Sequence, residues 1–166
     1  MTGRHPPGLT LRHVRESDQP RLVGLIDEWF SGRRVRHLLV RAWFRHFAST
    51  SWIAEGADGA PIAILIGYRS QDRADEAVLH LVAVHPGHRR RGIGRALMES
   101  FAADVAEGGA ARIIALAWPG EPIAIAFFRA LGFRADDGPG TRNLYGTPAY
   151  PDHEAPGEDR IVFIRP

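Results

Sequence analysis

The fold is decided by Leu79-His80-Leu81-Val82-Ala83-Val84-His85-Pro86-Gly87-His88-Arg89-Arg90-Arg91-Gly92-Ile93-Gly94-Arg95. This pattern predicts a buried strand, a tight turn, a basic loop with glycines and the first turn of a helix. The N–H groups of a first helical turn lack intrahelical partners, and the helix dipole attracts anions to that end. Glycines let such a loop approach a ligand closely, because they carry no Cβ. The stretch therefore predicts a binding site for a phosphorylated cofactor.

Length and composition predict one globular domain. A chain of 166 residues buries roughly 70% of its unfolded surface, and 45% hydrophobic with 24% charged residues is ordinary for a soluble protein. Cysteine is absent, which excludes disulfides, thiolate metal sites and a cysteine nucleophile. All 21 basic residues are arginine, yet the net charge is only +2, so we expect no nucleic-acid or membrane partner. No apolar run reaches the ~20 residues of a membrane span, and we expect a cytoplasmic location.

Alternating and helical hydrophobic patterns predict an α/β fold. The predicted strands cover residues 9–14, 51–55, 61–70, 77–84, 112–118 and 161–164, with a short one near 143–145. The predicted helices cover residues 18–29, 35–46, 92–107 and 122–131. This order, βααβββαβαββ, predicts a mixed sheet with helices on both faces. Residues 1–8 are predicted to form a flexible N-terminal tail before a domain that covers 9–166.

The glycine loop differs from two common phosphate-binding loops. A P-loop needs a lysine after its second glycine, and this chain contains none. The dinucleotide pattern Gly-x-Gly-x-x-Gly also fails, because Leu97 stands where the third glycine belongs. The pattern present is Arg89-x-x-Gly92-x-Gly94, between a predicted strand and a predicted helix.

Taken with Val82-Ala83-Val84-His85-Pro86 and with Phe127-Phe128-Arg129-Ala130-Leu131-Gly132-Phe133, this pattern closely resembles the GCN5-related N-acetyltransferase (GNAT) family. The resemblance covers residues 9–164 and is strongest over 77–133. It implies a single-domain α/β GNAT fold, with a mixed, mostly antiparallel sheet flanked by helices on both faces. It also implies acetyl-CoA as co-substrate, with the pantetheine arm along the strand and the pyrophosphate on the N–H groups of the loop. The cofactor-binding residues implied are Val82, Ala83, Val84, Arg89, Arg90, Arg91, Gly92, Ile93, Gly94 and Arg95.

Acetyl transfer to an amine needs a base, donors for the developing negative charge and a leaving thiolate. Since no cysteine is present, direct attack in a ternary complex is favoured over an acetyl-enzyme. His80 is the candidate base, because an ordinary histidine pKa of about 6.5 suits proton removal near neutrality. Strand alternation predicts that His80 shares a face with Val82 and Val84. Its strand is similar to that of arylalkylamine N-acetyltransferases, of whose two histidines His80 matches the second, while the first falls on Val78.

Protonation of the leaving thiolate would need a general acid. The family's usual tyrosine aligns with Phe128, which cannot donate a proton. Either Tyr145 or Tyr150 supplies the proton, or the thiolate leaves without help. Glu76 could act as a base through a water and ranks below His80, and Asp152-His153-Glu154 favours a solvated loop rather than a metal site.

Two classes of function are consistent with this sequence. The leading hypothesis is an acetyl-CoA-dependent N-acetyltransferase acting on a primary amine of a small molecule or peptide. The resemblance implies an acceptor pocket whose candidate wall residues are His37, Trp43, Trp118 and Tyr145. The alternative, motivated by Phe128, is an acyl-CoA-binding regulatory or interaction module without turnover. Members of the family often dimerise, so a homodimer is a further expectation.

Overall fold

The computed structural model describes residues 7–166, and its elements follow the predicted α/β order, except that four strands instead of the predicted two follow the last helix. The strands are β1 (Thr10–His13), β2 (Trp52–Glu55), β3 (Pro61–Arg69), β4 (Glu76–Val84), β5 (Arg112–Ala117), β6 (Arg134–Ala135), β7 (Arg142–Leu144), β8 (Thr147–Ala149) and β9 (Ile161–Arg165). The helices are α1 (Asp18–Val23), α2 (Ile26–Trp29), α3 (Arg41–His46), α4 (Ile93–Glu107) and α5 (Pro122–Ala130), with 3₁₀ turns at Arg36–Leu38, Ala48–Thr50 and Pro86–His88. Most of the predicted tail over 1–8 lies outside the described residues, so its boundary stays a prediction.

Seven strands form one sheet in the order β1-β2-β3-β4-β5-β9-β6, and β7 pairs with β8 in a separate two-stranded ribbon. The β1–β2, β2–β3, β5–β9 and β6–β9 pairs are all antiparallel. The predicted α/β class with a mixed, mostly antiparallel sheet is therefore confirmed.

The contacts group the described residues into two compact units. The first unit contains the residues up to Arg69 together with Leu79–Gly109, and the second contains Ser70–Val78 with Ala110–Pro166. In the first unit, helices cover both faces of the sheet, as predicted. Ile64 and Ile66 of β3 belong to the core that α1, α2 and α3 close on one face. The next residue, Gly67, faces α4, where a Cβ would lie 2.7 Å from Cζ of Phe101.

Phe128 lies in the core of the second unit. Its ring is 5% exposed and packs against Phe133 and Phe163, each with its centroid 5.2 Å away. Gly132, with φ of 85°, ends α5 in the left-handed region and turns the chain into β6. The aromatic residue at this position of α5 therefore fills the core between α5 and β9.

A buried ion-pair network joins β1, α1 and β2. The Arg12 guanidinium donates to both carboxylate oxygens of Asp18, each at 2.8 Å, and to both of Glu55, at 3.0 and 2.8 Å. Burial alone would raise the pKa of Asp18, but hydrogen bonds from Arg12 and from the Arg15 amide outweigh it and hold that pKa below its ordinary value. The network fixes the first helix against the sheet.

The single helix predicted over 35–46 is wrong. The segment instead forms the 3₁₀ turn Arg36–Leu38 and then α3, with Val40 in extended conformation between them. In a continuous helix, the carbonyls of Leu38 and Leu39 would accept from amides four residues later. Here the His80 ring nitrogen Nε2 bonds to the Leu38 carbonyl at 2.9 Å, and the Gln19 amide donates to the Leu39 carbonyl at 3.0 Å. Two long-range hydrogen bonds therefore replace the helical ones.

The predicted helix over 18–29 is likewise divided, into α1 and α2. Gly24 and Leu25 separate the two helices, and the Leu25 amide donates to the Leu22 carbonyl in a tight turn. Both helices still bury one apolar face in the core of the first unit, with Leu22, Ile26 and Trp29 at most 2% exposed. The predicted apolar stripe is therefore correct, although the helix is not continuous.

Strand β4 contains one more residue than the stretch of β3 beside it. The Ser70 amide donates to the Glu76 carbonyl, and the His85 amide donates to the Ile62 carbonyl. From Ile62 to Ser70 is eight residues, whereas from Glu76 to His85 on the opposite side is nine. This difference of one residue is the register change of a β-bulge. An extra residue lets two consecutive side chains face the same layer of helices.

His80 and Leu81 are such a pair. His80 contacts Leu38 and Trp43, and Leu81 belongs to the core against which these two residues pack. Ala83 belongs to the same core, so alternation turns Val82 away from it. The predicted common face of His80 with Val82 and Val84 is therefore wrong, because the prediction assumed a regular strand.

Candidate functional site

The basic loop and α4 form the anion site that the sequence predicts. Gly92 is the N-cap of α4 and has φ of 77°, in the left-handed region that glycine adopts without strain. Arg90 also has positive φ, 63°, which is strained for a residue with a Cβ. Consecutive turns of this kind direct backbone N–H groups towards one concavity, as anion-binding nests do. The helix that follows has 15 residues, so its dipole reinforces the same site.

Arg89 has a different role from the neighbouring arginines. Its Nε donates to the Val84 carbonyl at 3.2 Å, and its terminal nitrogen donates to the Trp29 carbonyl. The guanidinium therefore ties the loop back to the end of β4 and to α2. Its predicted role in binding acetyl-CoA stays a prediction.

His85 and His88 shape the turn between β4 and the loop. The His85 ring nitrogen Nδ1 accepts from the Gly87 amide at 3.0 Å, which caps the 3₁₀ turn. A cavity of about 180 Å³ borders the loop, and it is lined by Pro7, Gly8, Leu9, Gly56, Ala57, Ile62, His88, Arg91 and Ile93. Hydrogen bonds of His85 and Arg89 thus fix the loop to the neighbouring backbone, and open space lies beside Arg91.

His80 is held by two contacts that fix its ring. Because a carbonyl only accepts, the 2.9 Å bond to Leu38 requires that Nε2 carries a proton. The neutral ring then has its lone pair on Nδ1. Every buried side-chain nitrogen or oxygen in residues 7–166 has a hydrogen-bond partner. Nδ1 forms no hydrogen bond with another residue of that range, which leaves its lone pair available to accept a proton.

The electrostatic surroundings of His80 favour its neutral form. Burial lowers the pKa of the imidazole, and the hydrogen bond to the Leu38 carbonyl offsets part of that shift. A neutral imidazole with a free Nδ1 is the state that can accept a proton near neutral pH. The geometry is therefore that of a histidine able to act as a base.

A cluster of three half-buried aromatic rings adjoins this histidine, and one of them packs on its ring. Trp43 lies 4.3 Å from the His80 ring at 30°, and Tyr68 stacks on Trp43 at 5.6 Å and 22°. Phe47 contacts both Trp43 and Tyr68, at 4.9 and 5.6 Å. Trp43 is among the wall residues predicted from the sequence, and His37 lies exposed in the adjacent 3₁₀ turn. Tyr68 and Phe47 were missed, because their hydrophobic spacing alone is typical of core residues.

The tyrosines predicted as acids both lie in the second unit, whereas His80 lies in the first. Tyr145 is 80% exposed at the tip of the β7–β8 hairpin, with φ of 51° before Gly146 at 84°. Positive φ at both central residues is the type I′ turn of two-residue hairpins. The Tyr150 hydroxyl donates to Asp136, and this hydrogen bond raises the pKa of the phenol. Tyr150 is therefore a weaker proton donor than a free tyrosine.

The other site candidates from the sequence, Glu76, Trp118 and His153, are ion-paired or exposed. Glu76 accepts from Arg112 at 2.7 Å, so its carboxylate is ion-paired. Trp118 is 43% exposed beside Gly120 in the second unit. His153 contacts Glu154 in an exposed loop, and residues 7–166 contain no group of three histidine or acidic side chains arranged for a metal ion. None of the helices in this part of the chain is long and apolar enough to cross a membrane.

Comparison with known proteins places this geometry in a family. A model of the acetyltransferase (GNAT) family matches residues 12–133. A similar relative is the L-2,4-diaminobutyric acid acetyltransferase of Nocardia farcinica, which is 32% identical over 114 residues, or 69% of this chain and 58% of that protein. The chain thus spans little more than half the length of that relative.

Solved structures share the fold. Ard1 from Thermoplasma volcanium superimposes with a TM-score of 0.75 at 19% identity, covering 95% of this chain and 97% of that one. Diaminobutyrate acetyltransferase from Paenibacillus lautus, solved with L-2,4-diaminobutyric acid and coenzyme A, gives a TM-score of 0.69 at 20% identity, with 95% of each chain covered. At these identities the likeness concerns the fold, and the family model adds the sequence evidence. The chain therefore belongs to the acetyltransferase (GNAT) family.

Proposed function

We propose that this protein is an acetyl-CoA-dependent N-acetyltransferase that transfers the acetyl group directly to a primary amine. The observation that carries the proposal is the continuity of one element: β4 bears His80 and, five residues later, leads into the loop before α4. A proton acceptor and an anion site are thus built on the same strand. Family membership, shown by the match over residues 12–133, supports the same activity.

The loop suits the pyrophosphate of acetyl-CoA. The left-handed residues Arg90 and Gly92 and the first turn of α4 offer backbone N–H groups, and Arg91 adds positive charge. A Cβ built on Gly92 meets nothing within 4 Å, so the space beside the N-cap is open to a ligand. In this proposal the residues that hold acetyl-CoA are Val82 to Val84 and Arg89 to Arg95.

His80 would act as the general base. The amine reaches the site as an ammonium and must lose a proton before its nitrogen attacks the thioester carbon. Nδ1 accepts that proton, the C–N bond forms, the C–S bond breaks to release the CoA thiolate, and the amide nitrogen loses its remaining extra proton to water. Phe128 cannot supply a proton to the thiolate, because it is a buried phenylalanine. Tyr145 stays the proposed donor, and departure of the thiolate without help is the alternative.

The acceptor is proposed at the level of a small primary amine, with diaminobutyrate as the first candidate. That choice rests on the names of the Nocardia relative and of the Paenibacillus structure, both diaminobutyrate acetyltransferases. The half-buried ring cluster of Trp43, Phe47 and Tyr68 would border the acceptor beside His80. A peptide amine and a homodimeric assembly also remain proposals.

A thiol-release assay tests the activity. The protein contains no cysteine, so every thiol that reacts with a disulfide reagent comes from CoA. We expect release with at least one member of a panel of diamines, amino acids, polyamines, aminoglycosides and peptides. The variant His80→Gln keeps an N–H donor for Leu38 but has no base, so its kcat should fall by about 10²–10⁴. Its affinity for acetyl-CoA, measured by calorimetry, should stay within about threefold of the wild type.

The same experiment separates this function from an acyl-CoA-binding module without turnover. The module hypothesis rests on Phe128, which removes the family's usual acid from α5. It predicts tight acetyl-CoA binding with no thiol release for any amine. That result would reject the enzyme and leave the module, whereas unchanged acetyl-CoA binding by His80→Gln is expected under both hypotheses.

A further inference from the structure

The positive charge of this protein is concentrated in one segment, residues 30–50, between α2 and β2. The segment contains five arginines, two histidines and no acidic residue, whereas the rest of the chain has 16 arginines and 19 acidic residues. All seven basic side chains are exposed: Arg33, Arg34, Arg36, His37, Arg41, Arg45 and His46. The net positive charge of the protein therefore comes entirely from segment 30–50.

Acidic neighbours offset only part of this charge. Arg36 pairs with Asp27 at 2.7 Å, and Arg41 pairs with Glu16 at 3.2 Å. Arg45 makes no ion pair with any residue in the described range 7–166. Surface pairs of this kind are weak and neutralise little of the charge, so a segment with no acidic residue of its own keeps a positive potential.

The same segment holds the candidate base. Leu38 binds His80 through its carbonyl, and Trp43 packs on the His80 ring. Arg36 and Arg45 are two residues away from these contacts, so their Cα atoms lie within about 8 Å of a residue that touches His80. The Debye length grows from about 8 Å at physiological ionic strength to about 30 Å at about 0.01 M salt, so in dilute salt an amine at His80 would lie within the field of the segment.

We infer that segment 30–50 selects an acceptor that carries a carboxylate beside its primary amine, an inference that rests on the proposed function. A purely cationic amine would be repelled by the segment, whereas a carboxylate on the acceptor would be attracted and would steer binding. The phosphates of acetyl-CoA have a basic site of their own, since four arginines lie within Arg89–Arg95. The segment is thus available to the acceptor.

Matched substrates test the inference. L-2,4-Diaminobutyrate and 1,3-diaminopropane differ only in the carboxylate, and so do lysine and 1,5-diaminopentane. In about 20 mM salt, kcat/KM should be roughly tenfold higher for the carboxylate-bearing member of at least one pair, and about 0.5 M salt should reduce that preference to about twofold. Equal rates within each pair, or preference for the diamine, would overturn the inference. Thiol release from no amine of any charge would instead count against the proposed function.

Charge variants locate the effect. Arg45→Gln should raise KM for the carboxylate-bearing acceptor about two- to threefold, lower KM for the diamine, and leave KM for acetyl-CoA unchanged. Arg134→Gln, which removes an exposed arginine from β6 in the second unit, is the matched control and should change none of them. A rise confined to KM for acetyl-CoA would show that the segment serves the co-substrate, and would overturn the inference.

Discussion

The stack of Trp43 on His80 offers a sharp test of the proposed base. The substitution Trp43→Leu keeps an apolar side chain but removes the ring that lies 4.3 Å from the imidazole. Burial is the main cause that lowers the pKa of His80, so exposing the ring should return this pKa towards its ordinary value near 6.5. Only the neutral ring is a base, so the acid limb of kcat/KM should move to higher pH. The sign is fixed, because a raised pKa protonates the base earlier on acidification.

The size of the rate effect follows from the two contacts that orient the ring. The bond to Leu38 remains in Trp43→Leu, but nothing fixes rotation about it, and a misplacement of about 1 Å can cost up to 10² in rate. We expect kcat to fall about tenfold at the optimum pH. Each lost aromatic pair costs about 0.5–1.5 kcal/mol, so loss of the pairs with Phe47 and Tyr68 should cost about 1–3 kcal/mol of unfolding free energy. For a chain of this length that lowers Tm by roughly 2–4 °C per kcal/mol.

The assay is the pH dependence of thiol release, run well below the Tm of the variant. Phe47→Leu is the matched control, because Phe47 contacts Trp43 and Tyr68 but has no ring contact with His80. It should lose comparable stability and keep the acid limb of the wild type. If Trp43→Leu lowers Tm while its acid limb and kcat stay within error of Phe47→Leu, then Trp43 only stabilises the fold and the reasoning is refuted.

Three further variants test other parts of the structure. Gly67→Ala forces a methyl group against Phe101 and should cost about 1–3 kcal/mol, measured by urea unfolding. Arg89→Leu removes the two hydrogen bonds from Arg89 to the Val84 and Trp29 carbonyls, so KM for acetyl-CoA should rise several-fold with kcat unchanged. An unchanged KM would show that these hydrogen bonds do not hold the loop in its binding conformation. Asp18→Asn leaves Arg12 beside a neutral amide and should cost about 2–3 kcal/mol at pH 7. The folded pKa of Asp18 lies below 3.8, so its stabilisation is full above about pH 4 and disappears as pH falls further, and the Asn variant should lack this acid-dependent loss.

Local patterns were sufficient where local interactions determine the structure. Strands β1 to β5, β7 and β9 and helix α4 follow the predicted ranges within a few residues, because their hydrophobic period and the glycines that bound them lie within the elements, whereas the short strands β6 and β8 were not predicted. Gly92 illustrates this, since its sequence position between a strand and a helix predicted the turn that its φ of 77° makes. The anion site could be predicted for the same reason.

Long-range contacts explain what the sequence did not predict. The break between Leu38 and Arg41 depends on His80, 42 residues from Leu38, and on Gln19, 20 residues from Leu39. No periodicity within 35–46 contains that information. Tyr145 was a candidate acid on residue type alone, yet it occupies a hairpin tip because its neighbour Gly146 permits a type I′ turn.

The extra residue in β4 divides the strand into two segments whose side chains alternate between the faces of the sheet in opposite phase. Up to His80 the strand follows one alternation of faces, and from Leu81 onwards it follows the other. Deletion of a single residue here would restore regular alternation along the strand and move the imidazole to the opposite face, while most of the hydrophobic sequence stayed the same. For protein engineering, β4 is thus a strand in which length is more critical than composition.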